Sequence, residues 1–365
     1  MFLLVHQSSE LYGSDRSFLS VVKILRQEYP DKKITVILPD LEGPLIPLLV
    51  KEDVELVEDT KGYIRKIYLK SPFKLFKNLI SSLMWIRSLS KEYDIIYINT
   101  IVCISAILAS RKFKNKVVHI REIPSGKQRF FFKNLLKFSK AKLIYNSLAS
   151  REAMQLDGRI IYNGVSVPNN MNEQAHSFNI DSIKKFLLIG RISEWKGHLF
   201  LLEALEKLDT QIELTILGSL APGREEFNQN LNEQLKLIEK KHSVQIVDFT
   251  NDTESYFRNT DFVVVPSILP EPFGRVAVEA MAYKKIPIVA NHGGLAEIVT
   301  NPNLGIKFNP NDKESLITEI QYCITMTESE YNKISEETYA HYQQNFSESI
   351  YQKNMMEQLK GELNV

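Results

Sequence analysis

Two pairs of charged residues in the second half of the chain have the types and spacing for chemistry on one ligand. Arg191 and Lys196 lie five residues apart in the segment GRISEWK. A guanidinium group can bind phosphate oxygens as a fork and an ammonium group as a point charge, so this pair could hold a diphosphate, although such cations taken singly are more often solvated. Glu271 and Glu279 lie eight residues apart in a second segment. Their carboxylates can accept hydrogen bonds from hydroxyl groups.

The segments around both pairs predict strands that end at the same edge of a parallel sheet. Residues 263–265 are three valines, an apolar run typical of a strand buried on both faces. Pro266 ends this strand and Gly274 begins a helix. Upstream, residues 186–189 predict a strand and residues 197–208 a helix. Nucleotides bind at the carboxyl ends of parallel strands, beside helix N-termini that favour phosphate, so we expect both charged pairs to lie in such a crevice.

Strands and helices alternate along the whole chain, which predicts an α/β fold of doubly wound parallel sheets. The predicted strands are residues 2–6, 33–38, 94–99, 116–120, 142–145, 159–161, 185–189, 213–217, 244–247, 262–265, 287–290 and 305–308. The predicted helices are residues 15–29, 72–89, 102–112, 128–137, 148–155, 197–208 and 348–363. A length of 365 residues with a 44% hydrophobic share supports two domains. We place them at residues 1–165 and 182–345, with a polar linker at 166–181 and a closing segment at 346–365.

The net charge of +1 conceals two halves of opposite sign. Residues 1–170 hold 27 Lys and Arg against 16 Asp and Glu, a balance of +11, and the rest of the chain has a balance of −10. Within residues 61–85, basic and aromatic side chains alternate in a way that could contact an anionic membrane. The members of this set are Lys61, Tyr63, Arg65, Lys66, Tyr68, Lys70, Phe73, Lys74, Phe76, Lys77 and Trp85. An ordinary solvated helix with a buried stripe of Leu75, Leu79, Leu83 and Ile86 is an equal alternative.

Several classes of protein are disfavoured by the sequence. It contains no zinc spacing, helix-turn-helix signature or RNA-binding aromatic motif, so we expect no nucleic-acid partner. Cys103 and Cys323 are far apart, which argues against a disulfide framework or metal cluster and favours a reducing cytoplasm. No apolar run approaches membrane-spanning length. An NAD-dependent dehydrogenase should show Gly-x-Gly-x-x-Gly after the first strand, where this chain has only Gly13.

Polar residues also follow the predicted strands of the first half. Gly13 lets the backbone approach a ligand closely, although a lone glycine is more often only a turn. His119 ends a predicted strand and could project from its carboxyl edge, where a lone histidine is usually structural. Asn99 ends the preceding strand and could bind a hydroxyl group or cap a helix.

Three motifs in this order, GRISEWKGH, PEPFGRVAVEAMA and HGGLAEIV, resemble the donor-binding domain of family 4 glycosyltransferases, which are retaining enzymes of the GT-B type. The segments VHQSSELYGSDRSFL, VVHIREIP, LIYNS and IIYNGVSVP resemble the N-terminal half of that family. The resemblance implies two Rossmann-like domains with an interdomain cleft, the first binding the acceptor and the second the nucleotide-sugar donor. It also implies that the last helix packs back on the N-terminal domain. Ser219 and Leu220 depart from the acidic or glycine residues that the family usually has there.

The resemblance also implies roles for individual residues. The implied catalytic residues are Arg191, Lys196, Glu271 and His119. The implied donor-binding residues are Gly13, Phe273, Gly274, Arg275 and Glu279. The residues implied at the acceptor site or cleft rim are Ser14, Asp15, Arg16 and Asn99. No cofactor or metal ion is expected, since the sequence has no Asp-x-Asp motif and the two cations can take the place of the ion.

The activity implied is transfer of a sugar from a nucleoside-diphosphate sugar, with a UDP-sugar favoured and GDP-mannose next, to a glycan or lipid-linked acceptor. The expected setting is bacterial surface polysaccharide synthesis, in the cytoplasm or at the inner face of the cell membrane. A GT-B-type nucleotide-sugar epimerase or phosphorylase is an alternative, as is a sugar-nucleotide binding protein without catalysis. A hydrolase with paired carboxylates would leave Arg191 and Lys196 without a role.

Overall fold

The computed structural model describes residues 1–63, 71–167, 178–220, 223–248, 250 and 252–363, whose strands form two parallel sheets. The chain divides into two units, the first comprising Met1–Gly164 with Glu348–Val365 and the second Val165–Ser347. Most of the predicted linker, residues 168–177, lies outside the described part of the chain. The first domain was predicted to end at residue 165 and the closing segment to begin at residue 346. The observed units divide after Gly164 and after Ser347.

The first unit contains a seven-stranded sheet within the described residues, in the order β3-β2-β1-β4-β5-β6-β7. Its strands are β1 (Phe2–His6), β2 (Ile34–Leu38), β3 (Glu55–Glu58), β4 (Ile95–Asn99), β5 (Asn115–Ile120), β6 (Lys142–Tyr145) and β7 (Arg159–Ile160). All neighbours are parallel. The sequence did not predict β3, because this edge strand has only two apolar residues between two glutamates and pairs only with β2.

The second unit contains a six-stranded sheet within the described residues, in the order β10-β9-β8-β11-β12-β13. Its strands are β8 (Lys185–Ile189), β9 (Glu213–Leu217), β10 (Ser243–Val247), β11 (Phe262–Val265), β12 (Ile286–Ala290) and β13 (Ile306–Phe308). All neighbours are again parallel. The strand order reverses between β8 and β11, as it does between β1 and β4 in the first sheet. A reversal of this kind leaves a crevice at the carboxyl ends of the two strands.

The helices connect successive strands, as the alternating pattern predicted. Those of the first half are α1 (Gly13–Glu28), α2 (Ile46–Val50), α3 (Pro72–Ser88), α4 (Ile104–Ser110), α5 (Gly126–Ser139) and α6 (Leu148–Met154). Those of the second half are α7 (His198–Leu205), α8 (Glu225–Ile238), α9 (Glu254–Arg258), α10 (Arg275–Ala282), α11 (Gly293–Ile298), α12 (Lys313–Thr325), α13 (Glu328–Asn345) and α14 (Glu348–Leu363). Short 3-10 helices cover Leu89–Lys91, Glu194–Lys196 and Pro302–Leu304. Within the described ranges, no helix is both long and apolar enough to span a bilayer.

Two hydrophobic clusters cover opposite faces of the first sheet. Leu4 belongs to one cluster and the adjacent Val5 to the other, because neighbouring residues of a strand point to opposite faces. The first cluster takes in apolar residues of α1, α2 and α14, and the second takes in residues of α3, α4, α5 and α6. Tyr351 and Met355 of α14 are almost completely buried in the first cluster. The last helix in the sequence is therefore part of the first unit's core.

Truncating Met355 tests whether α14 is needed for the stability of the first unit. We expect Met355→Ala to reduce the free energy of unfolding by about 2–5 kcal/mol, because the substitution leaves a cavity in a packed core. Lys353→Ala, at an exposed position of the same helix, should change it by no more than about 0.5 kcal/mol. Urea unfolding followed by circular dichroism measures both effects. Equal, small effects of the two substitutions would show that α14 contributes little.

Candidate functional site

An ion pair joins the loops that follow the two strands at the reversal in the second sheet. Lys196, in the loop after β8, places Nζ 2.8 Å from Oε1 of Glu271, in the loop after β11. Their side chains are 20% and 8% exposed, so the pair is partly shielded from water yet open on one side. The Lys196 ammonium group also lies 4.3 Å from the centre of the Trp195 ring. Two residues predicted to be catalytic are thus brought into direct contact.

Close main-chain contacts between the same two loops fix this ion pair. The backbone N–H of Ile268 donates to the carbonyl of Trp195 over 2.8 Å. Gly197 has φ of +77°, and a Cβ atom there would lie 1.9 Å from the carbonyl oxygen of Pro266. Only glycine permits both that backbone conformation and that approach. The KG dipeptide therefore combines the charged side chain with the residue that lets its loop reach the neighbouring strand.

The Glu271 side of the pair is held by a second set of contacts. The Ser267 hydroxyl donates to Oε1 of Glu271, and Nε2 of His292 donates to the Ser267 carbonyl over 2.8 Å. The backbone N–H of Gly294 donates to the Glu271 carbonyl over 2.8 Å. A Cβ atom at Gly293 would lie 2.6 Å from that same carbonyl oxygen. The HGG motif thus lets α11 begin directly against the loop that carries Glu271.

The N-terminus of α10 adds backbone donors next to Glu271. Gly274 precedes the helix with φ of +106°, and a Cβ atom there would lie 2.4 Å from Leu295. One turn later, Glu279 accepts a hydrogen bond of 2.8 Å from Nε of Arg275. Phe273 is buried, and its ring packs near Phe346, so its side chain supports the loop from the interior. Its expected contact with a donor stays a prediction, as do those of Gly274, Arg275 and Glu279.

Arg191 lies at the carboxyl edge of the same sheet. It follows Gly190 directly after β8 and is exposed. The structure places it in the loop that carries Lys196, and its convergence with Lys196 on one diphosphate stays a prediction. Nearby, the Ser219 hydroxyl donates to Oδ1 of Asp248 over 2.5 Å, joining the ends of β9 and β10. Residues 249 and 251, which follow β10, are outside the described residues.

In the first unit, a chain of buried hydrogen bonds crosses the carboxyl edge of the sheet. Asp15 contacts Nε2 of His6 at 2.6 Å, and Nδ2 of Asn99 lies 2.9 Å from Nδ1 of His6. Oδ1 of Asn99 accepts from Nε of Arg121 over 2.6 Å, and Oδ1 of Asn163 accepts from the same guanidinium group over 2.5 Å. The network therefore joins a buried carboxylate to a buried guanidinium group through neutral side chains. Buried charges need this kind of compensation.

His119 lies in the same network, and its two ring nitrogens differ in their hydrogen bonding. Its Nδ1 lies 2.7 Å from the Tyr97 hydroxyl and 3.3 Å from a terminal nitrogen of Arg121. A guanidinium group can only donate, so Nδ1 accepts and Nε2 carries the proton. Burial, and next the charge of Arg121, hold the pKa of His119 well below its usual range, so the ring is neutral. Among the described residues Nε2 is buried and has no hydrogen-bond partner, and its contact with a ligand stays a prediction.

The N-terminal rim residues are placed differently from one another. Gly13 is exposed and begins α1, and Ser14 and Arg16 are half-buried beside it. Asp15 and Asn99, expected at the acceptor site or cleft rim, are buried. Asp15 turns inward because its carboxylate accepts the backbone N–H of Tyr12 over 2.8 Å as well as contacting His6. A ligand role for these residues stays a prediction.

Several residues that form the polar contacts around Glu271 and around His119 and Asn99 were not singled out from the sequence. They are Ser267 and His292 around Glu271, and His6, Tyr97, Arg121 and Asn163 around His119 and Asn99. A signal existed for His6, which ends β1 at the same sheet edge where β4 ends at Asn99. Arg121 and Asn163 are 42 residues apart, and only the fold brings them together.

Comparison with known proteins identifies the family. A model of the family described as "Glycosyl transferases group 1" matches residues 170–341. An uncharacterised glycosyltransferase of Methanocaldococcus jannaschii is 30% identical over 275 residues, which cover 69% of this chain and 70% of the relative. The chain belongs to the group 1 glycosyltransferases. The predicted membership of family 4 and of the GT-B type is thereby confirmed.

Two further proteins are similar to this glycosyltransferase, one in sequence and one in structure. A lipopolysaccharide 1,2-N-acetylglucosaminetransferase of Salmonella typhimurium is 30% identical over 146 residues, which cover 38% of each chain. The structure of HepE from Anabaena, solved with UDP and glucose, has a TM-score of 0.79 at 24% identity and covers 98% of this chain and 99% of that one. The structural similarity confirms the predicted fold of two Rossmann-like parallel-sheet domains.

His198, the first residue of α7, gives the stability of the protein a testable dependence on pH. Burial lowers its pKa to about 4. Because histidine in an unfolded chain has a pKa of about 6.5, the unfolded state binds more protons than the folded state between these values. Stability is therefore retained above about pH 6.5 and lost as the pH falls towards 4.

We expect the wild-type protein to lose stability relative to His198→Met between about pH 7.5 and about pH 5, because methionine cannot take up the proton. Leu199→Met, at the next position of α7, should show the same pH dependence as the wild type. Urea unfolding at both pH values measures the difference. A stability difference between wild type and His198→Met that does not change with pH would contradict the assignment of a depressed pKa.

Proposed function

We propose that this glycosyltransferase transfers a sugar, with retention of anomeric configuration and without a metal ion, from a nucleoside-diphosphate sugar to a glycan or lipid-linked acceptor. The observation that carries the proposal is the contact of 2.8 Å between Lys196 and Glu271 at the strand reversal of the second sheet. A cation and a carboxylate in one crevice match the two ends of the bond that must break. The phosphate end gains negative charge, and the sugar end gains positive charge.

Lys196 is proposed to bind the departing diphosphate. When the bond between the anomeric carbon and the phosphate oxygen breaks, the electron pair leaves with the nucleoside diphosphate, whose negative charge rises. Groups that meet this charge as it develops lower the barrier. The Lys196 ammonium group is already fixed by Glu271, so it needs little reorganisation. Arg191 adds a second cation, and the N-terminus of α10 contributes about 0.3–1 kcal/mol through its dipole.

Glu271 is proposed to face the donor sugar. Its carboxylate can accept hydrogen bonds from two neighbouring hydroxyl groups and favour positive charge at the anomeric carbon. The acceptor hydroxyl oxygen then forms the new bond to that carbon, and its proton passes to an oxygen of the departing diphosphate. Glu279, one turn into α10, is proposed to accept from the ribose hydroxyls, and its bond to Arg275 orients its carboxylate.

A transferase that needs a metal ion would use carboxylates to hold the ion against the diphosphate. The Glu271 carboxylate is instead occupied by an ammonium group and a hydroxyl group. Among the described residues, no cluster of three His, Cys, Asp or Glu side chains is arranged to hold a metal ion. Cationic side chains that act in place of a metal are therefore part of the proposal.

The identity of the donor and the setting are proposed from the relatives. HepE was solved with UDP and glucose, which supports a UDP-sugar ahead of GDP-mannose. The Salmonella relative is named for lipopolysaccharide, which supports an acceptor in bacterial surface polysaccharide synthesis, such as O-antigen, capsule or exopolysaccharide. We accordingly propose that the enzyme works in the cytoplasm, in contact with the inner face of the cell membrane.

A panel of UDP-, GDP- and dTDP-sugars tests the proposal. We expect nucleotide release from at least one UDP-sugar, because the crevice of the second unit offers charges suited to a leaving diphosphate. Release is followed by a coupled nucleotide assay, with binding measured in parallel by calorimetry. Failure to bind or cleave any donor at millimolar concentration would contradict the proposed activity. Binding without turnover of any donor would favour a sugar-nucleotide binding protein instead.

A further inference from the structure

Exposed apolar side chains are concentrated on two helices of the first unit. Of nineteen large apolar side chains exposed among the described residues, eight lie on α3 and α5. Phe73 is 81% exposed, Phe76 is 63% exposed and Phe130 is 74% exposed. Single exposed apolar residues are ordinary, but a concentration of them on neighbouring elements marks an interaction surface.

On α3 the exposed apolar residues form a stripe. Phe73, Phe76, Ile80 and Met84 follow one another at intervals of three and four residues, which places them on one side of the helix. The opposite side contains Ile86, which is 1% exposed. Leu75, Leu79 and Leu83 of the predicted buried stripe are half-buried, and contact of the exposed side with a membrane stays a prediction. Of the basic and aromatic set predicted here, Arg65, Lys66, Tyr68 and Lys70 lie outside the described residues.

On α5 a similar arrangement occurs that the sequence did not lead us to expect. Phe130, Phe131 and Phe138 are exposed, whereas Leu135 and Leu136 are buried against the sheet. The buried faces of α3 and α5 belong to the same hydrophobic cluster, so both helices cover the same face of the sheet. The short helix α4 contacts both of them and is itself mostly buried. The two exposed stripes therefore lie on one outer surface, which we call the α3–α5 surface.

The α3–α5 surface is also strongly basic. The two helices contain seven basic residues and no acidic ones. The basic residues are Lys74, Lys77, Arg87, Lys127, Arg129, Lys133 and Lys137. Helices α1 and α14, on the other face of the same sheet, together carry five acidic and five basic residues. The excess positive charge thus belongs to the face that exposes the aromatic rings.

We propose that the α3–α5 surface binds an anionic lipid bilayer. Helices that expose phenylalanine among lysine and arginine residues lie in the interface plane of such membranes. Each basic residue near an anionic leaflet contributes about 1 kcal/mol, so seven make the electrostatic attraction substantial. A protein partner fits less well, because the centre of a protein interface is depleted of lysine. The inference rests on the proposed function only for the reason why the enzyme would bind a membrane, since a lipid-linked acceptor would lie at this surface.

Sedimentation with lipid vesicles tests the inference. The wild-type protein should sediment with vesicles that contain phosphatidylglycerol, bind more weakly in high salt, and bind poorly to vesicles of phosphatidylcholine alone. Phe76→Ser combined with Phe130→Ser should lower the partition coefficient about tenfold or more, because two rings no longer enter the interface. Val50→Ser, at an exposed apolar position of α2 on the other face of the sheet, is the matched control and should bind normally.

Absence of vesicle binding, binding that ignores both salt and lipid charge, or equal binding by the double variant would overturn the inference. Self-association of the wild type without vesicles, lost in the double variant, would instead assign the surface to a second copy of the chain. Circular dichroism confirms that the variants are folded. Nucleotide release measured without vesicles should be the same in wild type and double variant, so failure of lipid binding is distinguishable from failure of the proposed activity.

Discussion

The reversal of strand order between β8 and β11 is the constraint on which the candidate site depends. The chain leaves these two neighbouring parallel strands towards different helices, so their following loops border a common crevice. Lys196 and Glu271, which are 75 positions apart in sequence, are thereby placed in hydrogen-bond contact. The first sheet repeats the arrangement at β1 and β4, where His6 and Asn99 end adjacent strands and bond to each other. Each unit thus gathers its polar groups at its own reversal.

Glycine determines how close the loops come, and charge pairing determines what they hold. Gly197 and Gly293 each let one backbone approach another at a distance that a side chain would block. The resulting crevice contains a cation that is already paired with a carboxylate. Such a pair costs less to bury than an isolated charge, and it keeps the ammonium group in place before any ligand arrives. An anionic ligand would then share a preorganised cation instead of recruiting a mobile one.

The sequence predicted well those features that depend on local pattern. Buried parallel strands such as residues 262–265 are marked by continuous apolar runs, and the observed β11 has those bounds. The edge strand β3 was missed because its half-exposed pattern, ELVE, lacks that signal. For the site, the spacing indicated that Lys196 and Glu271 share an edge, but not that they form an ion pair. The burial of Asp15 and Asn99 depends on His6, which ends β1, and on Arg121, which follows β5, and no local pattern reveals it.

The affinity for UDP and GDP with and without EDTA tests the central claim that protein cations hold the diphosphate. Calorimetry on wild type, Lys196→Ala and the control Lys207→Ala, an exposed lysine paired with Glu314, gives the comparison. The account predicts that EDTA leaves the wild-type Kd for the preferred nucleotide unchanged. It also predicts that Lys196→Ala weakens that Kd by about 10–100-fold, as expected for loss of a charged hydrogen bond, while Lys207→Ala has no effect. Loss of binding in EDTA, or an unchanged Kd in Lys196→Ala, would contradict it.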